Sequence, residues 1–334
     1  MAIRTWLAGM AVDVGVVDTL RRHWARRLGD PAAYILFGHG VSRARGKGLC
    51  VEALAEMLEY LGRVFEVRSL QECVEALARQ TRLRRPLLAL TFDDGYADNL
   101  YHLLPVLQAH GTPATIFVTA GLIDSKQRLW PSEVRRCLAQ TQAAELRVSF
   151  LPEPVAISGT DDRAALAAKV VSLMKRAPIR QAEAVAELRQ ALDVAEEPAG
   201  EEERLLTQEE LQELARDPLI TIGGHTMLHP VLSSLPHKEA CQEIEQGRQR
   251  LTEITGQRPM LFAYPNGQPG DYTAEIVQFL RDTGWQAAVT TQAGVATAAS
   301  DVMQLPRLPI GQGPAARLAW ALAKATRAQA NILR

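Results

Sequence analysis

The sequence predicts an α/β fold built on mainly parallel strands, because short apolar runs alternate with amphipathic helical segments along most of the chain. The chain has 334 residues, of which 47% are hydrophobic and 22% are charged. That length and composition fit one large globular domain with a sizeable insertion. We expect strands at 34–39, 87–92, 114–119, 219–223, 260–264, 287–291 and, more weakly patterned, 304–310.

Helices between these strands are predicted by apolar periodicity and by capping signals. Residues 99–110 carry leucines three and four positions apart, which places them on one helix face. Ser69 with Glu72, and Thr207 with Glu210, have the spacing of a capping box at two further helix starts.

The pattern divides the chain into three parts. A main domain covers 34–313, an N-terminal helical segment covers 1–33, and a final helix covers 314–334. Residues from about 126 to 206 interrupt the strand–helix alternation and are rich in Ala, Glu, Arg and Gln. We expect them to form a mostly helical insertion, with a small hairpin at 146–158.

Composition and charge exclude several classes of protein. A formal net charge of −1 gives no reason to expect a nucleic-acid partner. The four cysteines have no paired spacing, which favours a reducing compartment over a disulfide framework. The first residues lack a clear signal-peptide pattern, so we expect a cytoplasmic protein. Segment 1–33 is amphipathic and either packs on the domain or lies on the inner face of the membrane.

The first motif with chemical potential is TFDDG, residues 91–95, at the end of an apolar strand. Its adjacent carboxylates, Asp93 and Asp94, point in different directions and can therefore take different roles. Capping of the next helix is the structural alternative.

The second motif is HTMLH, in which His225 and His229 lie four residues apart after Gly223 and Gly224. That spacing brings two imidazoles to one side of a helical turn, as chelation of one ion requires. We expect the glycines to let the chain turn sharply at the strand end. A single histidine pair of this spacing is often incidental. Two histidines and a carboxylate nevertheless suit an open catalytic site for zinc or a similar divalent ion.

Together, TFDDG and H-T-x-x-H make the sequence from about 34 to 310 resemble the polysaccharide deacetylase family, the NodB-homology enzymes of carbohydrate esterase family four. The resemblance implies a distorted (β/α) barrel of about seven mainly parallel strands. It also implies hydrolysis of N-acetyl, or occasionally N-formyl, groups on an amino sugar, an oligosaccharide or a glycan precursor. By matching motif, Asp93 would be the general base, while Asp94, His225 and His229 would hold one metal ion, most simply zinc.

A third motif, FAYPNG at 262–267, matches the family's R-x-P motif around Pro265 but has Ala263 in place of the arginine. Arg307, on the last predicted strand, is our candidate to supply that charge, and a surface position is the alternative. By resemblance, the backbone N–H of Asn266 would stabilise an oxyanion.

The family's last motif supplies a histidine, yet no histidine follows His237 in this chain. We therefore predict that His39, at the end of the first strand, is the general acid, against a purely structural role. Trp130, in the insertion, is placed to stack on a sugar ring. Two other functions stay open: a deformylase or amidase acting on a lipid- or nucleotide-linked sugar, and a catalytically inactive glycan-binding module.

Overall fold

A computed structural model of the protein describes residues 32–43, 48–81, 85–157, 160–176 and 180–310. The predicted C-terminal helix at 314–334 and nearly all of the predicted N-terminal segment lie outside these ranges, so those two assignments stay predictions.

Seven parallel strands close into a barrel, which confirms the predicted fold class. Strand β1 closes it by pairing with both β3 and β11, and the order around the barrel is β1, β11, β9, β8, β7, β4 and β3. The barrel strands are β1 (Ala32–Gly38), β3 (Leu87–Phe92), β4 (Ala114–Val118), β7 (Ile220–Gly224), β8 (Leu261–Ala263), β9 (Ala287–Ala293) and β11 (Leu305–Pro309).

Two short strands flank the barrel. Strand β2 (Glu66–Val67) runs parallel to β3, and β10 (Ala296–Thr297) runs antiparallel to β1. The helices of the barrel domain are α1 (Val51–Val64), α2 (Leu70–Ala78), α3 (Leu104–His110), α7 (Gln208–Arg216), α8 (His237–Thr255) and α9 (Ala274–Asp282).

The barrel strands are buried on both faces, which explains their nearly continuous apolar sequences. All six residues of β3 are buried. Their side chains alternate: Leu88 and Leu90 join the cluster under the surrounding helices, whereas Leu87 and Ala89 join the cluster within the barrel. Thr91 continues the inward series, and this register therefore aims Asp93 towards the barrel axis as well.

The insertion is mostly helical and contains the expected hairpin. Its helices are α4 (Trp130–Gln140), α5 (Thr160–Met174) and α6 (Gln181–Ala191), and its antiparallel hairpin pairs β5 (Glu145–Leu146) with β6 (Val155–Ala156). These elements share an apolar cluster that also includes Val231 of the barrel domain. The insertion is therefore anchored beside the segment that carries the two candidate histidines.

Side-chain capping defines two of the helix starts. Both predicted capping boxes are formed, at Ser69 and Thr207. The helix expected over 99–110 is α-helical only from residue 104, because residues 99–103 form a π-helical turn. Within the described part of the chain, no helix combines the length and the apolar character needed to cross a bilayer.

Candidate active site

A cavity of about 980 Å³ opens at the carboxyl ends of the barrel strands. This is the end at which (β/α) barrels carry their catalytic residues. Six predicted site residues line it: His39, Asp93, Asp94, His225, His229 and Asn266. The seventh, Arg307, lies directly beneath and binds Asp93.

Asp94, His225 and His229 form a compact group of candidate metal ligands. The Nε2 atoms of both imidazoles lie 3.5 Å from Oδ1 of Asp94, and the potential ligand atoms of the three residues lie within 4.8 Å of one another. Oδ1 of Asp94 is buried without a hydrogen-bond partner in the described part of the chain. A buried carboxylate oxygen costs free energy in that state, and a cation would relieve the cost. These residues therefore fit a divalent ion.

The imidazole of His225 is oriented from behind. Its Nδ1 lies 2.7 Å from the carbonyl oxygen of Ala263, so Nδ1–H donates to that carbonyl and Nε2 carries the lone pair. Burial and the neighbouring His225 lower the pKa of His229 to about 4. His229 is therefore neutral at physiological pH, which is the form of imidazole that binds a metal.

The segment that carries both histidines is not the helical turn expected from their spacing. Residues 225–230 are irregular, and Thr226 and His229 adopt left-handed φ angles of 66° and 57°. The hydroxyl of Thr226 accepts a hydrogen bond from the His229 N–H at 3.0 Å, which closes the loop on itself. Asp94 also has a positive φ, at 78°. Such backbone persists only where surrounding contacts hold it, and it concentrates at functional sites.

Three neighbouring elements hold this loop. The Glu243 carboxylate on α8 accepts hydrogen bonds from the N–H groups of Met227 and Leu228, at 3.0 and 2.9 Å. The backbone of Gly121 donates to the Met227 carbonyl at 2.9 Å. The indole of Trp130 donates to the His229 carbonyl at 3.1 Å and is buried. The expectation that Trp130 stacks on a sugar is therefore wrong, because its ring is committed to the loop.

Gly223 and Gly224 serve packing and not the sharp turn expected from the sequence. Both lie within β7, and neither has a positive φ. A Cβ at Gly223 would lie 2.4 Å from the ring of Phe117, and one at Gly224 would lie 2.7 Å from the ring of Trp285. The absence of side chains therefore lets two aromatic rings pack against the strand that positions His225.

Asp93 is held by a bidentate ion pair with Arg307. Both guanidinium N–O distances are 2.7 Å, and the same guanidinium donates to Thr91 and to the carbonyl of Thr290. Arg307 is 0% exposed. Burial alone would raise the pKa of Asp93, but the charge and hydrogen bonds of Arg307 outweigh it and hold that pKa below its ordinary value. Asp93 is therefore an ionised, oriented carboxylate beside the Asp94 group.

Arg307 reaches this position because β11 is a barrel strand that runs parallel to both β1 and β9. Ala263, at the motif position where an arginine was expected, is itself buried on β8. The guanidinium thus comes from a different strand, while the Ala263 carbonyl orients His225.

His39 and Asn266 line the cavity from two further strand ends. His39 is exposed and follows β1, whose Gly38 carbonyl accepts the Asp93 N–H at 2.9 Å. Asn266 has a left-handed φ of 62°, and its side-chain nitrogen is buried without a partner in the described part of the chain. Its carbonyl accepts a hydrogen bond from the Thr291 hydroxyl, which fixes the turn after β8.

The barrel thus combines a group of possible metal ligands with a separate carboxylate bound to an arginine, an arrangement that suits metal-assisted hydrolysis. The family model described as polysaccharide deacetylase matches residues 80–145 and 160–288, which together are more than half of the chain. The chain belongs to the polysaccharide deacetylase family.

A curated relative is the putative polysaccharide deacetylase YxkH of Bacillus subtilis, which is 22% identical over 242 residues. The aligned region is 72% of this chain but only 58% of the relative's length. Among solved structures, IcaB from Ammonifex degensii has a TM-score of 0.57 at 20% identity, covering 88% of this chain and 97% of that one. The Streptococcus pyogenes deacetylase PplD in complex with acetate has a TM-score of 0.54 at 17% identity, with coverage of 89% and 99%. These structures share the fold of this protein.

Proposed function

We propose that this protein is a metal-dependent N-deacetylase acting on an amino sugar of a polysaccharide or glycan precursor. One observation carries the proposal. The cavity holds the possible metal ligands Asp94, His225 and His229, and beside them a second carboxylate, Asp93, which is paired with Arg307. Asp94 is thus available to bind a metal, and Asp93 is available to accept a proton. Zinc fits best, because two imidazoles and one carboxylate leave an open coordination position.

Each protein group has a distinct role in the proposed reaction. Asp94, His225 and His229 would hold a divalent ion, which would act as a Lewis acid towards the acyl oxygen and would lower the pKa of a water towards ~7. Asp93 accepts a proton from the water that attacks the acetamide carbon. Arg307 keeps Asp93 ionised and oriented before that transfer. The backbone N–H of Asn266 donates to the acyl oxygen as negative charge develops there.

Cleavage of the carbon–nitrogen bond requires a proton on the departing amine. We assign that proton to His39, which lines the same cavity and is exposed enough to exchange protons with solvent. The products are a carboxylate and a free amino sugar. PplD, which shares the fold, was solved with acetate, the product that our proposal requires.

The test is product release from N-acetylglucosamine oligomers by the zinc-loaded protein, with N-formyl analogues assayed in parallel. We expect acetate from the wild type and, in Asp93→Asn, unchanged zinc content with a rate at least ~100-fold lower, as removal of a general base predicts. Asp282→Asn, an exposed carboxylate on α9, is the matched control and should keep full activity. Formate in place of acetate would support the deformylase alternative. Equal turnover in wild type and Asp93→Asn would remove Asp93 from the mechanism.

A further inference from the structure

Two cations lie on the wall that the insertion contributes to the active-site cavity. Arg135 lies on α4 and Lys175 directly follows α5. Ser132 and Val171, one helical turn earlier on α4 and α5 respectively, line the same cavity. Residues three and four positions apart share a helix face, so Arg135 and Lys175 lie on the same faces as Ser132 and Val171. Both cations line the cavity that contains Asp93, Asp94, His225 and His229.

Neither cation forms an ion pair within the part of the chain that the structure describes. Other arginines of the insertion behave differently, because Arg128, Arg136 and Arg189 all contact the buried carboxylate of Glu133. Arg135 and Lys175 therefore contribute no ion pair to the insertion's own charge network.

The acids near this wall are already engaged. Glu203 lines the cavity, but its carboxylate binds Arg128 at 2.8 Å. The Asp98 carboxylate accepts hydrogen bonds from the Val41 N–H and the Asn99 side-chain amide. Glu202 also lines the cavity and has an interaction of its own.

The position of Lys175 is unfavourable for the protein alone. Its side chain is about half-buried, and burial lowers the pKa of its ammonium group. Asp271 opposes that shift, whereas the like charge of Arg135 adds to it. A desolvated ammonium beside a guanidinium costs free energy unless an anion joins them. This arrangement does not stabilise the fold, and a bound anion would compensate it.

We infer that Arg135 and Lys175 form a subsite for a phosphate group carried by the acylated sugar. This inference rests on the proposed function and narrows its substrate class to sugar phosphates, whether free or linked through phosphate to a nucleotide or a lipid. A guanidinium fork and an ammonium point charge together suit phosphate. A cavity of about 980 Å³ is at the upper end of ligand pockets, which run to ~1,000 Å³, and leaves room for a sugar and its phosphate.

The test compares two probes that share the acetylated sugar and differ in the group on its anomeric oxygen: the phosphate of N-acetylglucosamine 1-phosphate and the neutral methyl group of methyl N-acetylglucosaminide. We expect a higher kcat/KM for the phosphate. Arg135→Gln and Lys175→Gln should each lower kcat/KM for the phosphate by roughly ten-fold or more, as loss of a hydrogen bond to a charged group predicts. In both variants kcat/KM for the neutral probe and the zinc content should stay unchanged. Lys175→Arg, which keeps the positive charge, should retain most of the wild-type kcat/KM for the phosphate. Arg176→Gln, an exposed neighbour, is the matched control.

Equal kcat/KM for both probes, or equal losses on both in the two variants, would overturn the subsite. The proposed function fails separately if neither these probes nor the N-acetylglucosamine oligomers are hydrolysed. If the two probes are not hydrolysed, calorimetric binding of both to the zinc-loaded protein decides the inference. Preferential binding of the phosphate that Arg135→Gln abolishes supports it, and equal binding refutes it. A nucleotide diphosphate sugar and a polyprenyl diphosphate sugar, assayed side by side, distinguish the two sources of phosphate.

Discussion

Replacing Arg307 with glutamine tests the role of the buried ion pair at the site. The change removes a guanidinium that binds both Asp93 oxygens at 2.7 Å and also donates to Thr91 and Thr290. Water cannot take its place without rearrangement, because the side chain is 0% exposed. Glutamine offers one amide group and no charge, so the Asp93 carboxylate would stay buried and uncompensated.

The structure sets the size and the sign of the effect. Removing one partner of a buried ion pair destabilises a protein by about 3–5 kcal/mol. In the wild type the folded-state pKa of Asp93 is lowered, so the pair stabilises the fold above the ordinary carboxyl pKa of ~4 and loses that contribution as pH falls through the folded value. In the variant, burial raises the Asp93 pKa unopposed. The stability difference should therefore be largest at neutral pH and shrink in acid.

The assay is denaturant unfolding of the metal-loaded proteins at pH 7 and pH 4, together with the pH dependence of kcat/KM. We expect the acid limb of the activity profile to move to higher pH in Arg307→Gln and to move less in Arg307→Lys. Arg281→Gln is the control, since it breaks a surface contact with Asp301 and should cost less than about 1 kcal/mol. An Arg307→Gln protein as stable as this control, with an unmoved acid limb, would refute the reasoning.

Three further predictions concern the loop, the strand packing and a helix start. Glu243→Ala should weaken zinc binding about 10–100-fold in a calorimetric titration. Glu253→Ala on the same helix should not, because Glu243 accepts hydrogen bonds from the histidine loop whereas Glu253 pairs with Gln249. Gly223→Ala should lower the free energy of unfolding by about 1–3 kcal/mol, because the new Cβ would lie 2.4 Å from a ring carbon of Phe117. Gly62→Ala, in a helix with open space at that position, should be neutral or stabilising by up to about 1 kcal/mol. Burial alone would raise the pKa of Glu210, but the bidentate contact with Arg204 and the capping box have the larger effect and lower that pKa to about 2. Glu210→Gln should therefore destabilise the protein by about 1 kcal/mol at pH 7 and by less as pH falls from ~4 to 2, whereas an unchanged deficit in acid would contradict this assignment.

The barrel was predictable from sequence because its strands are buried on both faces. A continuous apolar run such as LLALTF at 87–92 has few other folded environments, and all seven expected strands are present. The closure of the barrel was not visible in periodicity. It depends on β1 pairing with both β3 and β11, contacts between residues far apart in the chain.

The candidate metal group was predictable because three ligands lie in two short motifs at strand ends. The backbone between His225 and His229 was not, since their spacing fits a helical turn as well as the observed loop. Left-handed φ angles at Thr226 and His229 arise from tertiary contacts with α8 and Trp130, which helical periodicity does not encode. For the same reason Trp130, which we expected to stack on a sugar ring, supports the loop through its hydrogen bond to the His229 carbonyl.

The support of the loop by Glu243 was missed for a related reason. Glu243 is one of several acids in a charged helix, and only its place opposite residues 227 and 228 distinguishes it. In contrast, Arg307 was accessible to sequence reasoning, because the absence of an arginine at Ala263 required a charge from elsewhere. Its burial and bidentate geometry required the structure.

Calorimetric titration of the metal-free protein with zinc tests the central claim most directly, with wild type, Asp93→Asn and Asp94→Asn compared. We predict one high-affinity zinc site per chain in wild type and in Asp93→Asn, and loss of that site in Asp94→Asn. Of the two adjacent aspartates, it is Asp94 whose carboxylate lies within 4.8 Å of the ligand atoms of both imidazoles. Undiminished zinc binding in Asp94→Asn, or no binding in the wild type, would contradict the division of the two adjacent carboxylates into ligand and base.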